Sequence, residues 1–417
     1  MIKYIFFNVF CLFAVVLYTQ DLSYARKIVD TLASSSMFGR GYVNAGDSLA
    51  AQFIADEYKK FKLNSFTENT YFQYYTLPIN TFSDSIIISI NNHILQGGKD
   101  FYIAAFSGSL NAEKKIIRIN EKLLKSNRFK KKALKIDFSE KVIIADGNLK
   151  QKLQSNPFKA AAVFFEFKEL PAWSISNGNK QEQWLEANII KNSIPKKVKK
   201  VKILTKSVFY DNYITRNVIG YIPGYAVKDS FIVVTAHYDH LGCMGKGVYF
   251  PGANDNASGV ALMLDIARYY SEKKDSLPYS IVFIAFSGEE AGLLGSFYFV
   301  NNPLFPLKNV KLLLNLDMVG TGSKGIKVVN ATEFVDLFNK FISINDSCKY
   351  LSVIEKRGSA ANSDHYPFYE RGVPSFFIYT LGDEYKEYHN IYDKADKLPF
   401  TAYDGLFRLI VNFFKYL

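Results

Sequence analysis

The chain has 417 residues, 48% of them hydrophobic and 22% charged, with a formal net charge of +12. That balance excludes wholesale disorder and allows two or three domains, or one large domain with an insertion. The excess of base does not point to nucleic acid, because it concentrates in segments 113–135 and 191–206, mixed with Ile, Leu and Val, as on a solvated face rather than a recognition element.

Met1-Ile2-Lys3 followed by the apolar run Tyr4 to Tyr18 has the order of a secretory signal peptide, assigned to residues 1–20. It implies a secreted or periplasmic protein. The run falls short of the ~20 residues a membrane span needs, and no other stretch is long enough, so no stable membrane insertion is expected after its removal. Cys243 and Cys348 then remain, enough for one disulfide or for two separate thiols.

Residues 21–68 read as helical. Tyr24 to Leu32 is a short amphipathic segment, Met37 to Tyr42 a glycine-punctuated loop, and Asp47-Ser48 is expected to cap a longer helix over Leu49 to Tyr58. These helices carry no sheet of their own and should pack on one supplied later. Residues 69–206 change to short β-like runs (Ser85 to Ile90, Lys141 to Ile144, Ala160 to Phe165) between Lys-, Asn- and Ser-rich turns, and read as an inserted β-rich lobe.

Residues 207–417 alternate regularly. Strands are expected at Asn217 to Tyr221, Phe231 to Ala236, Ser280 to Phe286, Val310 to Leu316, Ile326 to Val329 and Ser375 to Tyr379. Helices are expected at Val260 to Tyr270, Leu293 to Val300, Glu333 to Ile344 and Tyr403 to Phe414. The fold class is therefore α/β, a mostly parallel mixed sheet flanked by helices, with ligand sites beyond the carboxyl ends of its strands.

Polar residues punctuate those strand ends. They are His237-Tyr238-Asp239-His240, Gly252-Ala253-Asn254-Asp255-Asn256, Ser287-Gly288-Glu289-Glu290, Asn315-Leu316-Asp317, Ser363-Asp364-His365 and Tyr388-His389, and four of the five histidines fall among them. Singly, each has an ordinary structural reading: a hydrogen-bonded histidine, an N-cap, acids at a helix start. Together, acids converging at one end of a sheet repel each other and are costly to desolvate, and a bound cation removes the problem. Imidazole mixed with carboxylate suits zinc better than calcium or magnesium.

The series TAHYDHLG, PGANDNASG, SGEEAGLLGS, NLDMVG and YHNIYDKAD resembles the motif series of the secreted two-zinc aminopeptidases, relatives of bacterial leucyl aminopeptidase, glutamate carboxypeptidase and glutaminyl cyclase. The resemblance covers the chain from about Asn217 onward, and the FGRGY loop is similar to that family's start. It implies the phosphorylase/hydrolase-like zinc exopeptidase fold and two Zn2+ per chain. His237 and Asp317 would bind the first ion, Glu290 and His389 the second, and Asp255 would bridge both. Glu289 would be the general base, Asp239 would orient His237, and Tyr388 would donate a hydrogen bond to the tetrahedral intermediate. The implied activity is hydrolysis of N-terminal residues from peptide substrates. A carboxypeptidase or dipeptidase, a glutaminyl cyclase on the same fold, and a non-catalytic binding protein are the alternatives. Asn362 stands where some relatives carry Arg, which bears on substrate binding. His240 and His365 are additional to the ligand set and are expected to support it or to wall the pocket. The inserted segment resembles a protease-associated lobe in position and texture.

Overall fold

The computed structural model describes residues 20–68, 70–273 and 277–417; the expected signal segment thus lies outside the described residues, apart from Gln20. Two eight-stranded sheets organise the chain. In the first, the strand order is Phe72–Thr81, Val208–Ile222, Tyr279–Phe286, Val227–His237, Val310–Leu316, Ser375–Thr380, Ile326–Val329 and Ile354–Lys356. Four central strands, from Tyr279–Phe286 to Ser375–Thr380, run parallel, and the outer pairings are mixed.

The central strands are apolar runs because both faces are covered. Ile232 and Val234 point to one side, into a core with Ile28, Ile54, Tyr58, Leu262 and Leu406 from four helices, Leu22–Leu32, Gly46–Lys60, Ser258–Glu272 and Tyr403–Phe414. Val233, Val282 and Ile284 point to the other, against Phe299 and Phe368. Alternation along the strand divides one sequence between two cores, and each fully buried aliphatic side chain contributes roughly 1.5–3 kcal/mol. As the sequence implied, the N-terminal helices pack on a sheet supplied some two hundred residues later.

Two local expectations change. Asp47 does not cap the second helix: Ala45 occupies the cap at φ 57°, and the Asp47 carboxylate turns inward to accept hydrogen bonds from Tyr213 Oη and Thr215 Oγ1 at 2.8 and 2.9 Å. Two donors on the neighbouring long strand, Thr215 buried and Tyr213 half-buried, outcompete the exposed helix end. Second, Phe72–Thr81 falls within the segment read as inserted, yet it pairs antiparallel along Val208–Ile222 in the first sheet.

The second sheet is built from strands between Ile87 and Thr205, in the order His93–Ile94, Ile87–Ile90, Lys200–Thr205, Leu110–Ile119, Lys141–Asp146, Ala162–Phe167, Leu185–Ile190, Phe101–Ile103. It too contains a parallel run, from Leu110–Ile119 to Leu185–Ile190, with short helices at Glu121–Lys125, Asn127–Ala133 and Lys150–Leu153. Among the described residues no helix is long and apolar enough to cross a membrane. Cys243 and Cys348 are both free thiols, the second exposed.

Candidate metal centre

His237 is the last residue of its strand, the point at which the apolar run Phe231 to Ala236 leaves the core. Its neighbours in register are Phe286, just before the Ser287–Glu290 turn, and the strand that ends at Leu316, just before Asp317. Three adjacent parallel strands therefore release their polar residues at one level. Asp255 comes from the turn Ala253–Ala257, which feeds directly into the helix Ser258–Glu272. That helix can start so close to the sheet because residue 259 is glycine: a Cβ there would stand 2.4 Å from the Leu316 carbonyl oxygen.

The side chains meet in two buried groups, His237 with Glu289 and Asp317, and His240 with Asp255, Glu290 and His389, each able to hold a metal ion. The Asp255 carboxylate joins them. Its Oδ1 lies 3.3 Å from His237 Nε2, and its Oδ2 lies 2.9 Å from His389 Nε2. His237 Nε2 is also 3.4 Å from Asp317 Oδ1, and His389 Nε2 is 3.2 Å from Glu290 Oε2. Ligands around a tetrahedral ion at ~2.0–2.1 Å stand about 3.3 Å apart, so these separations fit such an ion in each group. Asp317 Oδ1 is buried and has no hydrogen-bond partner among the described residues, as an oxygen kept for a cation would be. Its other oxygen accepts from Ser363 Oγ at 2.9 Å.

The electrostatics point the same way. Burial opposes charge on His389, but Glu290 and Asp255 raise its imidazole to about 11. His237 is likewise raised, against burial, by Glu289, Asp317 and Asp255. Burial foremost, and then Glu290, Asp317 and Asp364, push the Glu289 carboxyl well above its ordinary range. Packed acids with only imidazoles between them call for positive charge, which a divalent ion supplies.

The other predicted residues take varied places. The Nδ1 of His237 lies 3.1 Å from the backbone carbonyl of Asp239, while the Asp239 carboxylate is 3.8 Å from the same nitrogen. That carboxylate is occupied by Tyr42 Oη at 3.2 Å and by the Glu289 N–H at 3.2 Å, so it ties the His237 loop to the Glu289 turn. The Tyr388 ring, 45% exposed, stacks on His389 with centroids 3.8 Å apart. His240 belongs to the second group, with Nδ1 2.7 Å from Glu290 Oε1. His365 is buried against Phe377, ring centroids 5.2 Å apart, and burial pushes its imidazole down to about 3, so it stands behind the cleft lining as a neutral ring and does not wall the pocket itself. A cleft of about 190 Å³ opens over the groups, with Met318, Asn362, Phe377, Tyr379 and Tyr388 in its lining.

Several supporting residues escaped the sequence reading. Arg40, wholly buried, donates to the carbonyls of Leu32, Tyr238, Pro251, Gly252 and Asp255, and so fixes the loop that carries the shared carboxylate. The only signal was an arginine between two glycines. Gly41 is needed there because a Cβ would stand 2.4 Å from Gly242 Cα. Asp393 accepts from the Asn254 and Asp255 N–H groups at 2.9 and 3.1 Å. Trp173 contacts His389 from the second sheet's side, and nothing in the sequence announced it.

Residues 217–414 match the model of Peptidase family M28. Over 175 residues the chain is 35% identical to aminopeptidase YwaD of Bacillus subtilis (strain 168), covering 40% of this chain and 36% of that protein. Over 199 residues it is 32% identical to a probable leucine aminopeptidase of Arthroderma otae, covering 46% of this chain and 55% of that protein. The chain thus matches well under two thirds of the length of these relatives. The crystal structure of a zinc aminopeptidase from Bacillus subtilis superposes with a TM-score of 0.68 at 22% identity, over 93% of this chain and 94% of that one. A peptidase M28 precursor from Shewanella amazonensis gives 0.69 at 15% identity, over 95% and 93%. Both likenesses are of fold, and both extend across the second sheet as well as the M28 region.

Proposed function

We propose that this chain is an exported zinc metallopeptidase, an aminopeptidase that removes N-terminal residues from peptides. The observation that carries this reading is the Asp255 carboxylate, with one oxygen facing His237 and the other facing His389 at 3.3 and 2.9 Å. His237, Asp255 and Asp317 would hold one zinc ion, and Asp255, Glu290 and His389 a second. Zinc bound there supplies Lewis acidity, lowering the pKa of a water toward neutrality and polarising the scissile carbonyl.

The remaining steps fall to the chain. Glu289 stands beside His237 and Asp317, and with Asp255 taking the ligand place between the two histidines its carboxylate would be left free to take the proton of the attacking water and pass it to the leaving amine. Asp239 fixes His237 through its carbonyl and the Glu289 turn through its carboxylate. Tyr388, on the open side of His389, can donate its phenol hydrogen to the developing oxyanion. A cleft bordered by Asp255, Glu289 and Asp317 suits a free α-ammonium, and Phe377, Tyr379 and Met318 offer an apolar wall to the first side chain. Among the residues lining it there is no Lys or Arg to grip a substrate carboxylate: Arg371 bonds to Asn301, and Arg357 lies behind the wall, donating to the Tyr379 phenol at 3.4 Å. This favours an aminopeptidase over a carboxypeptidase or dipeptidase.

On this reading the chain comprises a signal peptide at 1–20, N-terminal helices at 21–68, a lobe within 69–206 and a catalytic domain from 207 onward, with Phe72–Thr81 counted in the catalytic sheet. The test pairs elemental analysis of the purified protein with aminoacyl nitroanilides and N-blocked, free-carboxyl peptides. Two zinc ions per chain and cleavage of the nitroanilides alone are expected. Preference for the blocked peptides would overturn the aminopeptidase assignment, and one ion per chain would turn it toward a cyclase.

A further inference from the structure

The two zinc-facing histidines are held differently. His237 leaves its strand in extended backbone, and its Nδ1 meets a carbonyl two residues along its own loop, that of Asp239, at 3.1 Å. His389 sits at φ 51°, a left-handed conformation that a β-carbon disfavours, and its Nδ1 meets the carbonyl of Trp173 at 2.8 Å, 216 residues away. The Trp173 N–H returns the contact, donating to the His389 carbonyl at 3.0 Å. One residue therefore grips both the ring and the backbone of His389.

Trp173 is itself fixed from two sides. Its indole Nε1 donates to the Ile103 carbonyl at 2.7 Å, on the edge strand Phe101–Ile103 of the second sheet. Its ring stacks on Phe250 of the loop between His237 and Asp255, with centroids 4.5 Å apart and planes 15° apart. The residue is 5% exposed. A carbonyl can only accept, so it keeps the proton of His389 on Nδ1 and leaves the Nε2 lone pair toward Asp255 and Glu290.

We propose that Trp173 is a positioning residue for the second metal site, and that the lobe exists in part to complete that site: without its docking, His389 loses both its ring orientation and its backbone clamp. This rests on the two-zinc reading above. Its consequence is asymmetry. An ion at His237, Asp255 and Asp317 would rest on the first sheet and the turn that follows it, whereas an ion at His389 would depend on the second sheet as well.

The test uses the full mature protein, stripped of metal and titrated with zinc against a chromophoric chelator, and separately with cobalt followed by its d–d absorption. Trp173→Ala keeps the backbone carbonyl and N–H but removes the indole bond to Ile103 and the stack on Phe250 that hold them in place. It is therefore expected to leave one binding step unchanged and to weaken the other by up to ~10–100-fold, the range for disturbing a ligand's outer partner. The cobalt spectrum of the second equivalent should change with it. Trp173→Phe, which keeps the stack on Phe250, should recover most of the affinity, and Phe250→Ala should mimic Trp173→Ala. Two wild-type binding steps in both alanine variants, or equal weakening of both steps, would overturn the proposal. A wild-type protein that binds fewer than two ions would instead sink the two-zinc reading. Should Trp173→Ala not fold, Phe250→Ala decides by the same two steps.

Discussion

The two sheets of this molecule share a design and differ in what they do with acid. Each has eight strands that include a parallel run, and each carries carboxylates on or beside the strands of that run. In the second sheet Glu166, near the carboxyl end of its strand, pairs with Arg118 at 2.8 Å, while Glu186 and Glu140, at the amino ends of theirs, pair with Lys150 and Lys114 at 2.7 Å each. Asp146 instead accepts from the Asn148 N–H at 3.1 Å in the turn after its strand. In the first sheet Asp255, Glu289, Glu290 and Asp317 meet imidazoles, and Arg40 beside them spends its donors on carbonyls. The acids of the second sheet are spread over both ends of its strands, whereas those of the first converge at one end without a fixed cation and leave room for a metallic one.

The largest effect should come from undoing the shared ligand. Asp255→Ala removes the carboxylate between the histidines, and metal analysis should find both ions lost, with hydrolysis at background; a variant that keeps both ions would break the contrast between the sheets. Glu289→Gln should be next, keeping both ions while kcat falls by ~10²–10⁴, the range for a positioned base. Unchanged turnover in that variant would remove the base assignment. Tyr388→Phe should be milder, up to ~10² in kcat with KM little altered, because its phenol is half exposed and would act only as the oxyanion forms. A change confined to KM would move Tyr388 from catalysis to substrate binding.

Much of the first sheet was legible because its strands are continuous apolar runs that stop abruptly at chemistry-bearing residues. His237, Asp255, Glu290, Asp317 and His389 all arrive where the punctuation put them. The residues that escaped act through backbone groups or across great sequence distance. Trp173 meets His389 through backbone groups that every residue has, and its indole, which only anchors them, lies far away in sequence from the residue it serves. Arg40 reads five carbonyls from a loop that looks like any glycine turn. Asp47 looked like a cap because Asp before a helix usually is one, and only the tertiary neighbours Tyr213 and Thr215 overrule that preference. His240 was read as a supporting residue, and its distance of 2.7 Å to Glu290 depends on how two loops fold against each other.

The smallest effect on activity, and a direct probe of the second sheet, should come from Lys150→Met. Glu186 is 2% exposed, and its partner ammonium is the cation that offsets burial of its carboxylate. Burial raises the Glu186 pKa and Lys150 lowers it, so removing the lysine leaves the upward push unopposed. A carboxyl raised in the folded state binds its proton more tightly there than in the unfolded chain, and stability then falls as pH rises above the glutamate's ordinary range. The variant should therefore be less stable by ~1–3 kcal/mol near neutrality, the cost of leaving a buried polar group without its partner, and closest to the parent in acid. Chemical denaturation at several pH values measures this, with kcat/KM on the same samples. A deficit that grows toward low pH would reverse the sign argued here. A loss of turnover at constant stability would mean that the second sheet reaches the active centre through more than Trp173.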